Sequence, residues 1–186
     1  DQAWNIVKRT NNANVTTFSQ NLLNQTTNVS GLGSLGFDSN GNRTNGPVSG
    51  ISYEFDDENQ LTAVQQYFSV NNIYRTEFLY DGRRRMRQKL ERNFDIMGWH
   101  TVSTVRYIYD VQILIQERNA NGNPSVSYTR GIDVSGELDE AGGIGGLLAR
   151  SEHSGNSPYG VSSSAFYHSD ANGNVVYISN SSGSQW

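Results

Sequence analysis

One pattern recurs along the chain and limits what it can fold into: an aromatic or aliphatic run, an Asp, a short polar turn, then a new apolar alternation. It occurs at Phe37-Asp38-Ser39-Asn40-Gly41-Asn42, Tyr53-Glu54-Phe55-Asp56-Asp57-Glu58-Asn59, Phe78-Leu79-Tyr80-Asp81-Gly82-Arg83, Tyr107-Ile108-Tyr109-Asp110 and Tyr167-His168-Ser169-Asp170-Ala171-Asn172-Gly173-Asn174. Each copy reads as a β-hairpin. The Asp carboxylate can accept backbone amides two residues on, Asn-Gly supplies the left-handed corner, and the flanks alternate with the period of two that a strand requires. The alternation is clearest over 104–109, where Val105, Tyr107 and Tyr109 share one face. Asp38, Asn40, Gly41, Asp56, Asp81, Gly82, Asp110, Asp170, Asn172 and Gly173 are therefore expected at repeat corners, in structural roles.

Composition agrees with an all-β chain. The 186 residues include 21 Asn, 22 Ser and 19 Gly, which favour turns, and 10 Tyr among 11% aromatics, which favour packed strands over disorder. Segment 61–68 is the best helical candidate, but its β-branched and aromatic residues make it a strand. A net charge of −4 does not suggest a nucleic-acid binder. No apolar run approaches the ~18 residues of a membrane span. The absence of Cys excludes disulfides, thiol nucleophiles and Cys-based zinc sites. The opening Asp1-Gln2-Ala3-Trp4 reads as mature or truncated sequence rather than a signal peptide. Two lysines and the Asn/Ser/Thr/Gly richness lean towards a secreted or cell-surface bacterial protein.

The chain divides into an irregular, Asn/Thr-rich lead-in (1–35), a hairpin region (36–178) and a polar tail (179–186). Within the hairpin region, 131–165 breaks the pattern. It reads as a loop, an apolar strand from 144 to 150 behind the Gly142-Gly143-Ile144-Gly145-Gly146 block, and a second loop at Ser154-Gly155-Asn156-Ser157-Pro158.

The hairpin units resemble the YD repeats of the Rhs family, in which aromatic-x-Tyr-Asp and a short turn precede an aliphatic strand. Phe37-Asp38-Ser39-Asn40-Gly41-Asn42-Arg43-Thr44 is similar to that family's commonest unit, with Phe for Tyr, and Tyr107-Ile108-Tyr109-Asp110 with Ile113-Leu114-Ile115 is another. The stretch from Arg130-Gly131-Ile132-Asp133 through the Gly-rich block to Asp170-Ala171-Asn172-Gly173-Asn174 is similar to what precedes the Rhs core region. The resemblance covers about three-quarters of the chain, residues 36–178. It implies an elongated, curved sheet of antiparallel hairpins, part of a strip that spirals into a shell. In bacterial polymorphic toxins such shells enclose a toxic segment, and in teneurins a related shell serves adhesion. The family's autoproteolytic core with its Asp-Pro motifs is not matched, since the chain has no Asp-Pro pair. With so few repeats, 186 residues read as a short stretch of something longer or as a small stand-alone relative.

Other constellations weigh towards structure. Asp38-x-Asn40-x-Asn42 and Asp170-x-Asn172-x-Asn174 place oxygens at alternate positions like a calcium loop, but Gly falls one position early and no closing Glu follows. Arg83, Arg85 and Arg87 would form a basic stripe on a strand, either a solvated face paired with acids or an anion contact. His100, His153 and His168 lack metal-ligand spacing. His168-Ser169-Asp170 cannot converge as a triad, because neighbours on a strand face opposite ways. Glu137, Asp139 and Glu140 share a Gly-flanked loop with no sign of a buried partner. Trp99 is the candidate for stacking on a ligand.

The expectation is a non-enzymatic scaffold without metal or cofactor. Its open sheet edges would take further YD repeats or copies of itself, and its partner would be a toxin cargo or a cell-surface molecule. The alternative is an extracellular module that binds glycan or protein through exposed aromatics.

Overall fold

The structure, a computed structural model, describes residues 4–46, 50–154 and 160–186. It is all-β, 58% strand, with no helix among the described residues. The strands form antiparallel sheets of four and ten members, not closed into a barrel.

The first sheet is a meander of β1 (Lys8–Asn11), β2 (Asn14–Gln20), β3 (Thr26–Val29) and β4 (Gly33–Ser34). The stretch expected as an irregular lead-in is thus a sheet of its own. The second sheet also follows chain order, from β5 (Ile51–Phe55) through β6 (Leu61–Ser69), β7 (Asn72–Tyr80), β8 (Met86–Asp95) and β9 (Gly98–Asp110). It continues with β10 (Ile113–Arg118), β11 (Pro124–Arg130), β12 (Leu147–His153), β13 (Val161–Ser169) and β14 (Val175–Asn180). The segment read as a strand at 61–68 is β6. The apolar strand placed at 144–150 begins three residues later, at Leu147, because Gly142, Gly143 and Gly145 take left-handed backbone and keep Ile144 in the loop. Of the loop expected at 154–158, only Ser154 lies within the described residues. The tail is not merely polar overhang: Ser179 bridges Gln185, and the Trp186 amide donates to the Ile178 carbonyl at 3.1 Å.

The chain forms two compact units, residues 1–78 with 91–102, and residues 79–90 with 103–186. Among the described residues no large side chain is fully buried. The buried apolar residues are small: Val29, Ala63, Val126, Ala149 and Ala165. Their register explains why they are covered. Directly opposite residues share a face, and each small residue of the ten-stranded sheet lies between two larger ones. Ala63 sits between Glu54 and Glu77, Val126 between Glu117 and Glu152, Ala149 between Thr129 and Phe166, and Ala165 between Arg150 and Asn180. Larger cross-strand neighbours therefore flank each of these small residues on its own face.

These long side chains are tied together by charge. In the first unit Arg75 forks onto Glu54 at 2.6 and 2.7 Å and reaches Glu77 at 2.9 Å, joining the two carboxylates that flank Ala63. In the second, the Tyr128 hydroxyl donates to Glu117 at 2.7 Å and Arg150 donates to Glu152 at 2.6 Å, across the pair that flanks Val126. Burial, reinforced by the Glu117 bond, pushes the Tyr128 phenol up to about 12.

Candidate functional site

The feature repeated most often is the hairpin corner, a five-residue device beginning with Asp or Asn at position i. In the Asp38 corner the carboxylate Oδ1 accepts the amides of Asn40 (3.0 Å) and Asn42 (2.8 Å), and Oδ2 accepts the Asn42 side-chain amide at 3.0 Å. The backbone closes as Asp38 N–H to the Asn42 carbonyl and Gly41 N–H to the Asp38 carbonyl. Gly41, at i+3, has φ +88°. Asp56, Asp81 and Asp170 build the same corner with Gln60, Arg85 and Asn174 donating from i+4. This is a type I turn followed by a left-handed residue, the geometry of three-residue hairpin loops. The corner also sets the strand that follows. In the hairpins at Asn21, Asp56, Asn119 and Asp170, residue i−1 pairs with i+5, and the residue after that is skipped as a bulge: Thr27, Thr62, Ser125 and Val176.

Four further corners lie outside the five motif copies, at Asn21, Asn119, Asp133 and Asn180, each accepting the i+2 amide and closing onto i+4. Three use Asn, whose carbonyl oxygen replaces Oδ1. The signal was present as Asx-x-x-Gly or Asx-x-x-Asn followed by a polar residue, in Asn21-Leu22-Leu23-Asn24-Gln25, Asn119-Ala120-Asn121-Gly122-Asn123 and Asn180-Ser181-Ser182-Gly183-Ser184.

The positions expected at corners fall as follows. Asn40 and Asn172 occupy i+2 and donate their amides, while Gly41 and Gly173 hold the left-handed i+3. Gly82 is only i+1 of its corner, and Arg84 takes the left-handed place at φ +62°. Asp110 stands apart. It ends β9 and pairs with Ile113 across a two-residue turn, Val111-Gln112. Its i+3 residue is Ile113, and a β-branched side chain resists the conformation the corner needs there.

The expected basic stripe is divided. Arg83 and Arg84 lie in the turn before β8, so only Arg87 of the three stripe arginines is on the strand. Arg85 binds Asp81 Oδ2 through Nε (2.9 Å) and a terminal nitrogen (2.8 Å), donates to the Val111 carbonyl, and stacks over Tyr109 at 5.1 Å. Arg87 lies 3.8 Å from the same carboxylate and 6.0 Å from the same ring. The Arg85 bond holds the Asp81 carboxyl down at about 2. Both cations thus have partners inside the fold, and Arg83 is the exposed member.

The Asp133 corner is the most elaborate. Its Oδ1 takes Ser135, while Oδ2 accepts the amides of Ala141 (2.7 Å) and Gly143 (3.1 Å) and so folds the Gly-rich loop back on the corner. Ser135 holds this buried carboxyl below the ordinary Asp value. A side chain at Gly146 would meet the Gly131 carbonyl at 2.8 Å, so the loop closes backbone on backbone. Beside it Ile113 and Ile115 floor a cleft of about 100 Å³ with Arg130 and Asp139 on its walls. That volume holds a few waters, against the ~300 Å³ or more of an organic-ligand site.

The histidines serve separate local contacts: His100 with Asp95 (3.0 Å), His153 with Ser127 (2.9 Å) and His168 with Ser179 (3.0 Å). Asp170 is engaged in its own corner and does not orient His168. Among the described residues no three His, Asp or Glu side chains gather to hold a metal ion. Trp99 is exposed along one side and leans on Phe94 at 5.4 Å.

A scan of family models and a search of curated proteins find no match to this chain.

Proposed function

We propose that the chain is a non-enzymatic β scaffold, a run of Rhs/YD-type hairpin units from a secreted or cell-surface bacterial protein. Its outer strands receive further units of the same kind, and the assembled strip encloses or presents a toxin or adhesive partner. The observation that carries this reading is the corner itself, built eight times among the described residues with the same two backbone bonds, i N–H to the i+4 carbonyl and i+3 N–H to the i carbonyl, in sheets that follow chain order. Such a device adds strands one after another without specifying an end. The edge at β14 supports the reading: 184–186 already lie on its outer side at Ile178–Asn180, while Val175 and Val176 remain exposed. A half-covered edge strand with apolar side chains is a template for another strand.

Sedimentation velocity over a concentration series tests the proposal. Self-association is expected, and Val176→Pro, which blocks strand addition at that edge, should reduce it while circular dichroism stays β-rich. A monodisperse monomer at every concentration, unfolding in one cooperative step, overturns it.

A further inference from the structure

The first unit carries two hairpin tips whose turn residues are uncharged and mainly apolar. β6 and β7 turn at Val70-Asn71, and β8 and β9 turn at Ile96-Met97. Because β7 and β8 are antiparallel neighbours, both turns lie at the same end of the sheet. Residues 61–74 contain no Asp, Glu, Lys or Arg, and neither do residues 96–99. At the opposite end of β5 and β6, the corner is Asp56-Asp57-Glu58.

Exposure across the two tips is graded. Val70, Ile96 and Met97 protrude at 85%, 83% and 84% exposure, whereas the Trp99 ring behind them is at 44%. Tyr67, Phe68 and Tyr74 are about half covered, Phe68 standing edge-on to Tyr74 at 5.6 Å. Aliphatic and thioether groups are therefore outermost, and Tyr and Trp form a band behind them. That is the order of preference across a bilayer surface, from acyl chains to headgroups. The polar groups at the base of the second tip are already paired: Asp95 accepts the Met97 amide at 2.7 Å and contacts His100 at 3.0 Å. Such pairing removes much of the cost of bringing a turn into a low-dielectric layer.

We propose that these two tips form a bilayer-docking site. Val70, Ile96 and Met97 enter the acyl boundary of a zwitterionic phospholipid surface, while Tyr67, Tyr74 and Trp99 lie at headgroup level. The tips carry no cationic cluster and the chain is net negative, so anionic lipid is not required. This docking is peripheral and does not rest on the scaffold reading.

The test uses the full chain with Trp4 and Trp186 changed to Phe, so that emission reports Trp99 alone. With phosphatidylcholine vesicles in about 0.15 M salt, co-flotation and a blue shift of Trp99 emission are expected. Val70→Asp with Met97→Asp should lower the vesicle-bound fraction on the order of tenfold. Leu79→Asp, an exposed apolar position away from the tips, should leave it unchanged. Circular dichroism of both variants checks that they fold. Three results overturn the proposal: no blue shift, binding that needs phosphatidylserine and vanishes in high salt, or tip substitutions that abolish self-association without lipid.

Discussion

Gly122 and Gly173 occupy the same place in two copies of the corner, each at φ +81°, yet their surroundings differ. A Cβ on Gly122 would meet nothing within 4 Å. Gly122→Ala therefore isolates the backbone cost of a left-handed L-residue, about 1–2 kcal/mol. Gly122→Asn should cost less than about 0.5 kcal/mol, since Asn tolerates this region, and Asn24 and Asn59 already hold the equivalent position at φ +60° and +63°. At Gly173 the added carbon would lie 2.6 Å from Ile144 Cγ2 and 3.1 Å from both the Gly145 nitrogen and Val134 Cγ1. Overpacking of that kind adds about 1–3 kcal/mol, so Gly173→Ala should cost about 2–5 kcal/mol in all. Asn offers no rescue there. Urea unfolding followed by circular dichroism gives the overall loss. Hydrogen exchange at the corner amides localises it, because a repetitive sheet need not open in one step. The Val134 amide, bonded to the Ile144 carbonyl at 3.0 Å, should lose protection in Gly173→Ala and keep it in Gly122→Ala. Equal losses in the two alanine variants, or Gly122→Asn as damaging as Gly122→Ala, would refute the reasoning.

Three further outcomes follow from the same contacts. Asn119→Ala, which removes the acceptor of the Asn121 and Asn123 amides, should destabilise by about 1–2 kcal/mol. Asn119→Asp should be tolerated, and comparable losses from both would show that the side-chain oxygen is not what matters. Asp81 is held at about 2, below its ordinary 3.8. Its contribution to stability is complete above about pH 4 and is lost as the pH falls towards 2. Acid titrations of the parent and Asp81→Asn should therefore diverge in that window, and superimposable curves would contradict the Arg85 pairing. Tyr128 is shifted the other way, from 10.0 to about 12. Its share of stability persists through pH 10 and is lost as the pH rises through 12. An ultraviolet titration should show a late tyrosine that Tyr128→Phe removes; if every tyrosine titrates near pH 10, the phenol is neither buried nor bonded to Glu117.

The all-β class and most corners were legible because they depend on local chemistry: Asx at i, a residue able to take positive φ at i+3, a polar residue at i+4. Reading the motif as aromatic-Asp was too narrow in one direction and too broad in the other. It passed over Asn21, Asn119 and Asn180, where an amide oxygen does the work of a carboxylate, and it included Asp110, whose i+3 residue is Ile113. Non-local features were harder to see. Nothing adjacent to Arg85 in the sequence announces Tyr109, which reaches it only through the strand order. The tip patch was hidden for a related reason: Val70 and Met97 are 27 positions apart and come to the same end of the sheet only because β7 and β8 pair antiparallel. Trp99 was singled out as a lone aromatic, whereas its setting is what gives it meaning.

The residue at i+4 decides what each corner can become. Asn42, Gln60, Arg85 and Asn174 each donate to the second carboxylate oxygen and close the corner on itself. At Asp133 the equivalent residue is Glu137, which when ionised has no proton to give. The second oxygen of a buried carboxylate cannot stay unsatisfied without cost, and it takes the Ala141 and Gly143 amides instead. A single change of residue type thus turns a plain hairpin into the anchor of a Gly-rich loop. Glu137→Gln supplies the missing donor and should set the side chain in competition with those two amides. Faster hydrogen exchange at Ala141 and Gly143, with protection at the Asp170 corner unchanged, is the expected result. Unaltered exchange at both amides would mean that the loop is held by its own backbone approach at Gly131 and Gly146, and that the acid at i+4 is incidental.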